Sequence, residues 1–193
     1  MKRGFNSRLI LFLLLATATA AAPAAQVSGV KLEDSVTVGG TNLVLNGAGV
    51  RVKYAMFKVY VIGLYVPAKT KDGSAIQNAK EPRRAVLVMK RDLEAATLSE
   101  AFHEGLENSL TSAEFNALKP QIAELDGLFK QVGNVKEGDR LTLDFSAEGS
   151  TRISYKGKQL DEIRSPQMVS ALLGLWVGKK PVQEDLKAAL LKG

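Results

Sequence analysis

The protein has 193 residues, with no cysteine, a single histidine, and 26 lysine and arginine residues against 20 aspartate and glutamate residues. The absence of cysteine excludes disulfides and thiol chemistry, and together with the single histidine it leaves no set of ligands for an ordinary zinc site. Acidic and basic residues are interspersed along most of the sequence, which argues against a nucleic-acid-binding face.

The first 25 residues have the pattern of a secretory signal peptide. Three lysine and arginine residues precede an apolar segment at residues 9–15, and an alanine-rich tail with small-residue cleavage sites follows. No later segment supplies about 18 consecutive apolar residues, so we expect no stable membrane insertion. We therefore predict a leader over residues 1–25, a single domain over residues 26–193, and a periplasmic or secreted location. Without the three basic residues of the leader, 23 basic residues remain against 20 acidic ones, a net charge of +3.

The first half of the domain is predicted to consist of β-strands. Apolar and β-branched segments alternate with turn signals at Gly39-Gly40, Asn46-Gly47 and Asp72-Gly73. The predicted strands are Val27–Leu32, Val36–Val38, Thr41–Leu45, Val50–Lys53, Phe57–Val66 and Arg84–Lys90. Both faces of the strand at Phe57–Val66 are largely apolar, so we expect it to be covered on both sides.

The middle of the sequence changes to a helical pattern. Thr97–Glu100 and Thr111–Glu114 both match the capping box S/T-x-x-E, which predicts a helix start at each position. Pro120 is expected to begin a third helix, because proline is favoured in the first turn.

A hairpin and two further helices are predicted for the C-terminal part. Residues 141–155 alternate between apolar and polar side chains around a turn at Glu148-Gly149. Ser165-Pro166 is typical of a helix N-terminus, and a last helix is predicted at residues 183–192. The order of elements predicts an α+β fold, in which a layer of helices covers one face of an antiparallel sheet.

Few residues are suited to catalysis. His103 lies in a predicted helix between acidic residues, on a side that we expect to be solvated, and no second histidine follows at the spacing of a zinc-binding helix. The adjacent acidic pairs Glu33-Asp34 and Asp161-Glu162 would point to opposite sides of a strand. We therefore expect neither a metal nor a cofactor.

Arg51 is the residue whose position most needs an explanation. It follows the small residues Gly47-Ala48-Gly49 and precedes the apolar strand that begins at Phe57. A guanidinium in a cleft between sheet and helices is costly unless it meets an anion, and small residues before it would let a ligand approach the backbone. Tyr60, on the adjoining strand, would add a hydroxyl to the same site. In the alternative interpretation, Arg51 is a solvated edge residue and Tyr60 a core tyrosine.

Three segments resemble the chalcone isomerase family, and most closely its bacterial exported chalcone-isomerase-like branch. They are NGAGVR at residues 46–51, FKVYVIGLYV at residues 57–66 and SPQMVSALLGLWVGKKPV at residues 165–182. The resemblance implies an open-faced sandwich with Arg51 as the cation of its cleft. Tyr60 stands where true isomerases have threonine and fatty-acid-binding relatives have tyrosine, and Ser165 would match a hydroxyl that lines the cleft.

The resemblance also implies that the isomerase machinery is incomplete. True isomerases carry a tyrosine and an asparagine on the first helix of the middle region, but Leu98 and Gly105 stand at these positions, and Asn108 lies three residues out of register. We therefore predict a non-catalytic protein that binds a fatty acid or a similar apolar carboxylate. Two alternatives stay open: an intramolecular lyase in which Arg51 stabilises an oxyanion, and an envelope assembly factor whose partner is a protein.

Overall fold

A computed structural model describes residues 25–193, so the predicted leader, apart from Ala25, lies outside the described residues. The strands are β1 (Ala25–Val27), β2 (Val30–Leu32), β3 (Ser35–Val38), β4 (Thr41–Lys53), β5 (Phe57–Val66), β6 (Arg83–Met89), β7 (Arg140–Phe145), β8 (Ser150–Tyr155) and β9 (Lys158–Arg164). The helices are α1 (Gly73–Asn78), α2 (Ala95–Ser109), α3 (Ser112–Ala117), α4 (Lys119–Val132), α5 (Pro166–Val177) and α6 (Glu184–Leu190).

Seven strands form one antiparallel sheet in which each strand pairs with its neighbour in sequence, from β3 to β9. The helices are inserted between strands or follow the last one, and their apolar sides pack on the sheet. The predicted α+β class, an antiparallel sheet with a helical layer, is confirmed. None of the described helices is long and apolar enough to span a membrane.

The two faces of the sheet carry separate cores. On the helical side, Ile62 and Leu87 belong to one cluster with Phe102 and Trp176. On the other side, the β1–β2 hairpin places the fully buried Leu32 in a second cluster. Strand β5 contributes to both cores and is buried from Tyr60 to Val66, so the prediction that it is covered on both sides is confirmed.

The predicted turn at Asn46-Gly47 is wrong, because β4 runs without interruption through both residues. The side chain of Asn46 is buried, and its Nδ2 donates to the carbonyl oxygens of Leu190 (2.7 Å) and Thr70 (2.9 Å). Its Oδ1 accepts from the backbone N–H of Thr70 at 2.8 Å. Asn46 therefore joins the sheet to the end of α6 and to the segment after β5, and a register irregularity between Leu45 and Gly47 accommodates it.

Four of the five predicted helix starts agree with the structure, including that of α6, which has Gln183 as its N-cap, and one differs. The capping box at Thr111 is present, α4 has proline in its first turn, and Ser165 caps α5. The capping box predicted at Thr97 is wrong, since α2 begins at Ala95. The backbone N–H of Ala95 donates to Asn134 Oδ1 at 3.1 Å, so a contact distant in sequence starts the helix earlier.

The predicted single strand Val27–Leu32 is wrong, because the chain turns at Ser28-Gly29 and forms the β1–β2 hairpin. Neither α1 nor β9 was predicted. Asp72 is not in a simple turn: its Oδ1 accepts from the N–H groups of Ser74 and Ala75 at 2.8 and 3.1 Å and caps the short helix α1. Strand β9 follows a turn at Lys156-Gly157 and forms an edge of the sheet. Its mostly exposed, polar residues lack the apolar alternation that indicates a strand.

Candidate functional site

A cavity of about 670 Å³ lies between the turn end of β4 and β5, helix α2, and the end of α5 with the segment that follows it. Its apolar and aromatic lining includes Val59, Tyr60, Leu93, Leu98, Phe102, Leu175, Trp176 and Val182. Its charged lining consists of Arg51, Lys53, Arg91, Lys180, Glu100 and Glu104. This volume and this largely apolar lining with a few charged groups are typical of small-molecule sites.

Arg51 and Tyr60 are direct partners across the β4–β5 pair, and both line the cavity. A register irregularity between Arg51 and Val52 marks a bulge at this point, a feature that re-aims side chains next to binding sites. The two predicted residues are thus brought together by the sheet itself.

The guanidinium of Arg51 is held by neutral acceptors. Its Nη1 donates to the carbonyl oxygen of Val52 at 2.6 Å and to Gln183 Oε1 at 3.3 Å. Gln183 Oε1 also accepts from the N–H of Val52 at 2.9 Å, so this side chain joins α6 to the edge of the bulge. Within residues 25–193 no carboxylate forms an ion pair with Arg51. Because an arginine has five N–H donors, Nε and Nη2 remain for an incoming anion.

Tyr60 is buried and accepts a hydrogen bond from Trp176 Nε1 at 2.9 Å. Burial raises the pKa of the Tyr60 phenol above its ordinary value, whereas the Trp176 hydrogen bond and the nearby charge of Arg51 lower it in part. The phenol is therefore neutral near pH 7. Since Trp176 occupies an acceptor position, the O–H hydrogen of Tyr60 stays available to donate to a ligand.

Ser165 is not among the residues that line the cavity. It is buried at the N-terminus of α5, where its Oγ accepts from the N–H of Met168 at 3.1 Å. The N-cap hydrogen bond accounts for this hydroxyl, and the structure does not bring Ser165 to Arg51 and Tyr60, in contrast to the expectation drawn from the resemblance.

The small residues before Arg51 serve a different purpose from the one expected. A Cβ atom added at Gly47 would lie 2.4 Å from the carbonyl oxygen of Ala189, and one added at Gly49 would lie 2.7 Å from Leu186 Cδ1. These glycines therefore admit helix α6 onto β4. The expectation that they let a ligand approach the backbone is wrong, because the helix occupies that space.

Comparison with protein families shows the family of this chain. The model of a family described as chalcone isomerase-like matches residues 24–192. The chain belongs to the chalcone isomerase-like family. The crystal structure of a fatty-acid binding protein of Arabidopsis thaliana, AtFAP1, matches with a TM-score of 0.67 and 16% sequence identity, over 84% of this chain and 92% of that chain. At this identity the likeness shows the fold, and it confirms the predicted chalcone-isomerase-like architecture. A search of the curated proteins found no match.

In this chalcone isomerase-like protein, helix α2 presents three of the residues considered above to the cavity. Leu98 is buried, Gly105 lies against Leu175 and Val182, and Asn108 is exposed, yet all three belong to the lining. The positions that would carry a tyrosine and an asparagine in true isomerases therefore face the cavity but offer only an isobutyl group and a hydrogen atom.

The remaining catalytic candidates lie outside this site. His103 is exposed on α2 and contacts the ring of Phe115 edge-on, with a centroid distance of 5.2 Å. Among residues 25–193 no group of three or more histidine, cysteine or acidic side chains could hold a metal ion.

Two residues of the site were missed from the sequence. Trp176 lies within the third segment that resembles the family, but its apolar, helical setting indicated only a core residue. Gln183 is separated from Arg51 by 132 positions, and no local pattern relates it to β4.

Proposed function

We propose that this chalcone isomerase-like protein is an exported, non-catalytic protein that binds a fatty acid or a similar apolar carboxylate in the cavity beside β4 and β5. The proposal depends on the position and the hydrogen-bond partners of Arg51. Arg51 lines a largely apolar and aromatic cavity, and the hydrogen-bond partners of its guanidinium within residues 25–193 are neutral. A partly buried cation with free donors is best satisfied by a carboxylate, which the guanidinium can bind with two parallel hydrogen bonds.

The neighbouring groups suit the two ends of such a ligand. Tyr60 adds a neutral O–H donor beside Arg51, held in place by Trp176. Leu98, Phe102 and Leu175 offer the apolar surface for a hydrocarbon tail. Burying that tail supplies most of the binding free energy, at about 0.8 kcal/mol per CH₂ group.

The comparison adds independent support for this class of ligand. AtFAP1 is described as a fatty-acid binding protein, and it shares the fold over most of both chains. The leader pattern of residues 1–25 supports export and the assignment to a bacterial exported branch. If export occurs, the intact mass of the protein recovered from the periplasm or medium should place its N-terminus between Ala21 and Gln26, whereas a species that retains residues 1–15 would contradict it.

The absence of a hydroxyl and an amide at Leu98 and Gly105 supports a binding role over the lyase reaction. We expect no turnover of a hydroxychalcone above the uncatalysed rate in a spectrophotometric assay. Saturable turnover that is abolished by Arg51→Ala would instead establish the lyase, with Arg51 as its oxyanion-stabilising group.

Native mass spectrometry tests the binding proposal directly. The protein should carry the mass of a long-chain carboxylate, lose it on organic extraction and regain it when oleate is added. Arg51→Ala should be recovered empty or weakly loaded, while Arg91→Ala, which removes the same charge from an exposed part of the lining, should load like the wild type. An extracted protein that fails to take up oleate, or other apolar carboxylates of varied length, would refute the proposal.

A further inference from the structure

The turn between β4 and β5 exposes large apolar side chains. Tyr54, Met56 and Phe57 are 76%, 72% and 44% exposed, and they are the exposed large hydrophobic residues within residues 25–193. Single exposed apolar residues are ordinary on a protein surface, but three within four positions form a projecting patch.

The backbone of this turn is unusual for the residues that it contains. Tyr54 and Ala55 have φ values of 54° and 58°, in the left-handed region that glycine and asparagine adopt most easily. A left-handed conformation costs an ordinary residue about 1 to 2 kcal/mol. The turn thus accepts backbone strain where a glycine or asparagine would relieve it, and it presents apolar side chains at the tip. Strain of this kind concentrates at functional surfaces.

The tip lies at the mouth of the cavity, and basic residues flank it. Tyr54 and Phe57 are both exposed and part of the cavity lining. The Lys53 Nζ is 5.4 Å from the centre of the Tyr54 ring, and the Arg91 guanidinium is 5.1 Å from the centre of the Phe57 ring. Lys58, the second residue of β5, is exposed as well.

The charge of this region is positive. The cavity lining contains four basic residues and two acidic ones. Lys58, at the start of β5, adds a further exposed positive charge near the turn, and its Nζ donates to Ser28 Oγ at 3.1 Å. Glu104 is paired with Lys53 at 3.3 Å, so these two charges offset each other, and Arg51, Arg91 and Lys180 remain in the lining against Glu100. Apolar side chains at a tip with lysine and arginine around it are complementary to an anionic lipid surface, where the apolar groups enter the interface and the cations meet the headgroups.

From this arrangement we infer that the β4–β5 turn docks the protein on an anionic lipid bilayer, with the mouth of the cavity facing the membrane. The inference rests on the proposed function and extends it, since it gives the apolar carboxylate a direct path between the bilayer and the cavity. Tyr54, Met56 and Phe57 enter the interfacial layer, while Lys53, Lys58 and Arg91 hold the anionic headgroups. Docking is reversible, because a three-residue apolar tip buries far less surface than an amphipathic helix does.

Vesicle flotation tests the inference with two variants that lie outside the cavity lining. The wild type should float with vesicles of phosphatidylcholine mixed with phosphatidylglycerol, and much less with phosphatidylcholine alone or at high salt. Met56→Asp and Lys58→Glu should each weaken binding to the anionic vesicles about tenfold. Lys69→Glu is the matched control: it makes the same charge reversal on an exposed lysine three residues beyond the far end of β5, and it should bind like the wild type.

A parallel titration with oleate in vesicle-free solution separates this inference from the proposed function. Met56→Asp should bind oleate like the wild type, because Met56 does not line the cavity. Normal oleate binding by a wild-type protein that does not float with anionic vesicles would overturn the docking while leaving the proposed function intact. Vesicle binding that depends on Met56, in a protein that binds no oleate, would overturn the proposed function and leave the docking intact. A dimer in sedimentation that Met56→Asp dissociates, with no vesicle binding, would assign the turn to a second copy of the protein and overturn the inference.

Discussion

Replacing Arg51 with alanine should weaken oleate binding by about 2 to 4 kcal/mol, which is roughly a 30-fold loss or more. The donors of the guanidinium set the size of this loss. Nη1 is engaged by Val52 and Gln183, so Nε and Nη2 are left to form two charge-assisted hydrogen bonds with the carboxylate. Such bonds contribute about 1.5 to 3 kcal/mol each, so two of them would give about 3 to 6 kcal/mol. Partial exposure of Arg51 and screening by salt reduce this sum to about 2 to 4 kcal/mol.

Three further variants show whether the loss of oleate affinity is specific to the paired N–H donors of the Arg51 guanidinium. Tyr60→Phe removes one neutral hydrogen bond and should weaken oleate binding by about 1 kcal/mol. Arg51→Lys keeps the charge but loses the planar pair of donors, so its affinity should fall between wild type and Arg51→Ala. Arg91→Ala removes an exposed charge from the same cavity lining and should cost less than about 0.5 kcal/mol.

Isothermal titration calorimetry with oleate measures these affinities, and thermal melts of the ligand-free proteins measure stability. Arg51→Ala should change the free energy of unfolding by less than about 1 kcal/mol, because Gln183 keeps its bond to the N–H of Val52 and an unpaired, partly buried cation is removed. An unchanged affinity in Arg51→Ala would show that Arg51 is merely solvated. An equal loss in Arg91→Ala would show that only the overall charge matters.

Three further predictions concern stability. Trp176→Phe should lower the free energy of unfolding by about 2 kcal/mol in urea titrations, because it leaves a buried gap and removes the N–H that donates to the Tyr60 hydroxyl. A change below about 0.5 kcal/mol would contradict this packing. Tyr65→Phe should be neutral or stabilising by up to about 1 kcal/mol, since within residues 25–193 the buried Tyr65 hydroxyl has no hydrogen-bond partner. Burial raises the pKa of Tyr65 from 10.0 to about 12, so the neutral phenol favours the folded state, and wild-type stability should fall between pH 10 and 12 by up to about 1.4 kcal/mol per pH unit. That slope should be shallower in Tyr65→Phe, and an identical slope would refute the assignment. Gly47→Ala should lower the free energy of unfolding by more than about 2 kcal/mol, because its Cβ would meet the Ala189 carbonyl oxygen at 2.4 Å. Gly127→Ala in α4, with open space around it, is the control and should raise the free energy of unfolding by about 0.5 to 1 kcal/mol. Equal effects of the two substitutions would mean that α6 moves away at little cost.

The sequence by itself determined the features that depend on neighbouring residues. The two-sided apolar pattern of Phe57–Val66 predicted a strand covered on both faces, and the Thr111 capping box and Ser165-Pro166 predicted two helix starts correctly. The segment NGAGVR singled out Arg51, and the next strand supplied Tyr60, because antiparallel strands joined by a short turn bring such residues opposite each other.

Only the tertiary structure decided what surrounds these residues. Gln183 reaches Arg51 and Trp176 reaches Tyr60 across separations of 132 and 116 positions, and no local periodicity encodes such contacts. The same reason explains the errors: Asn46-Gly47 is a turn signal by composition, but the backbone carbonyl of Leu190 and the packing of α6 hold both residues in a strand. Local propensities differ by about 1 kcal/mol or less, so buried hydrogen bonds and helix packing from distant parts of the sequence override them.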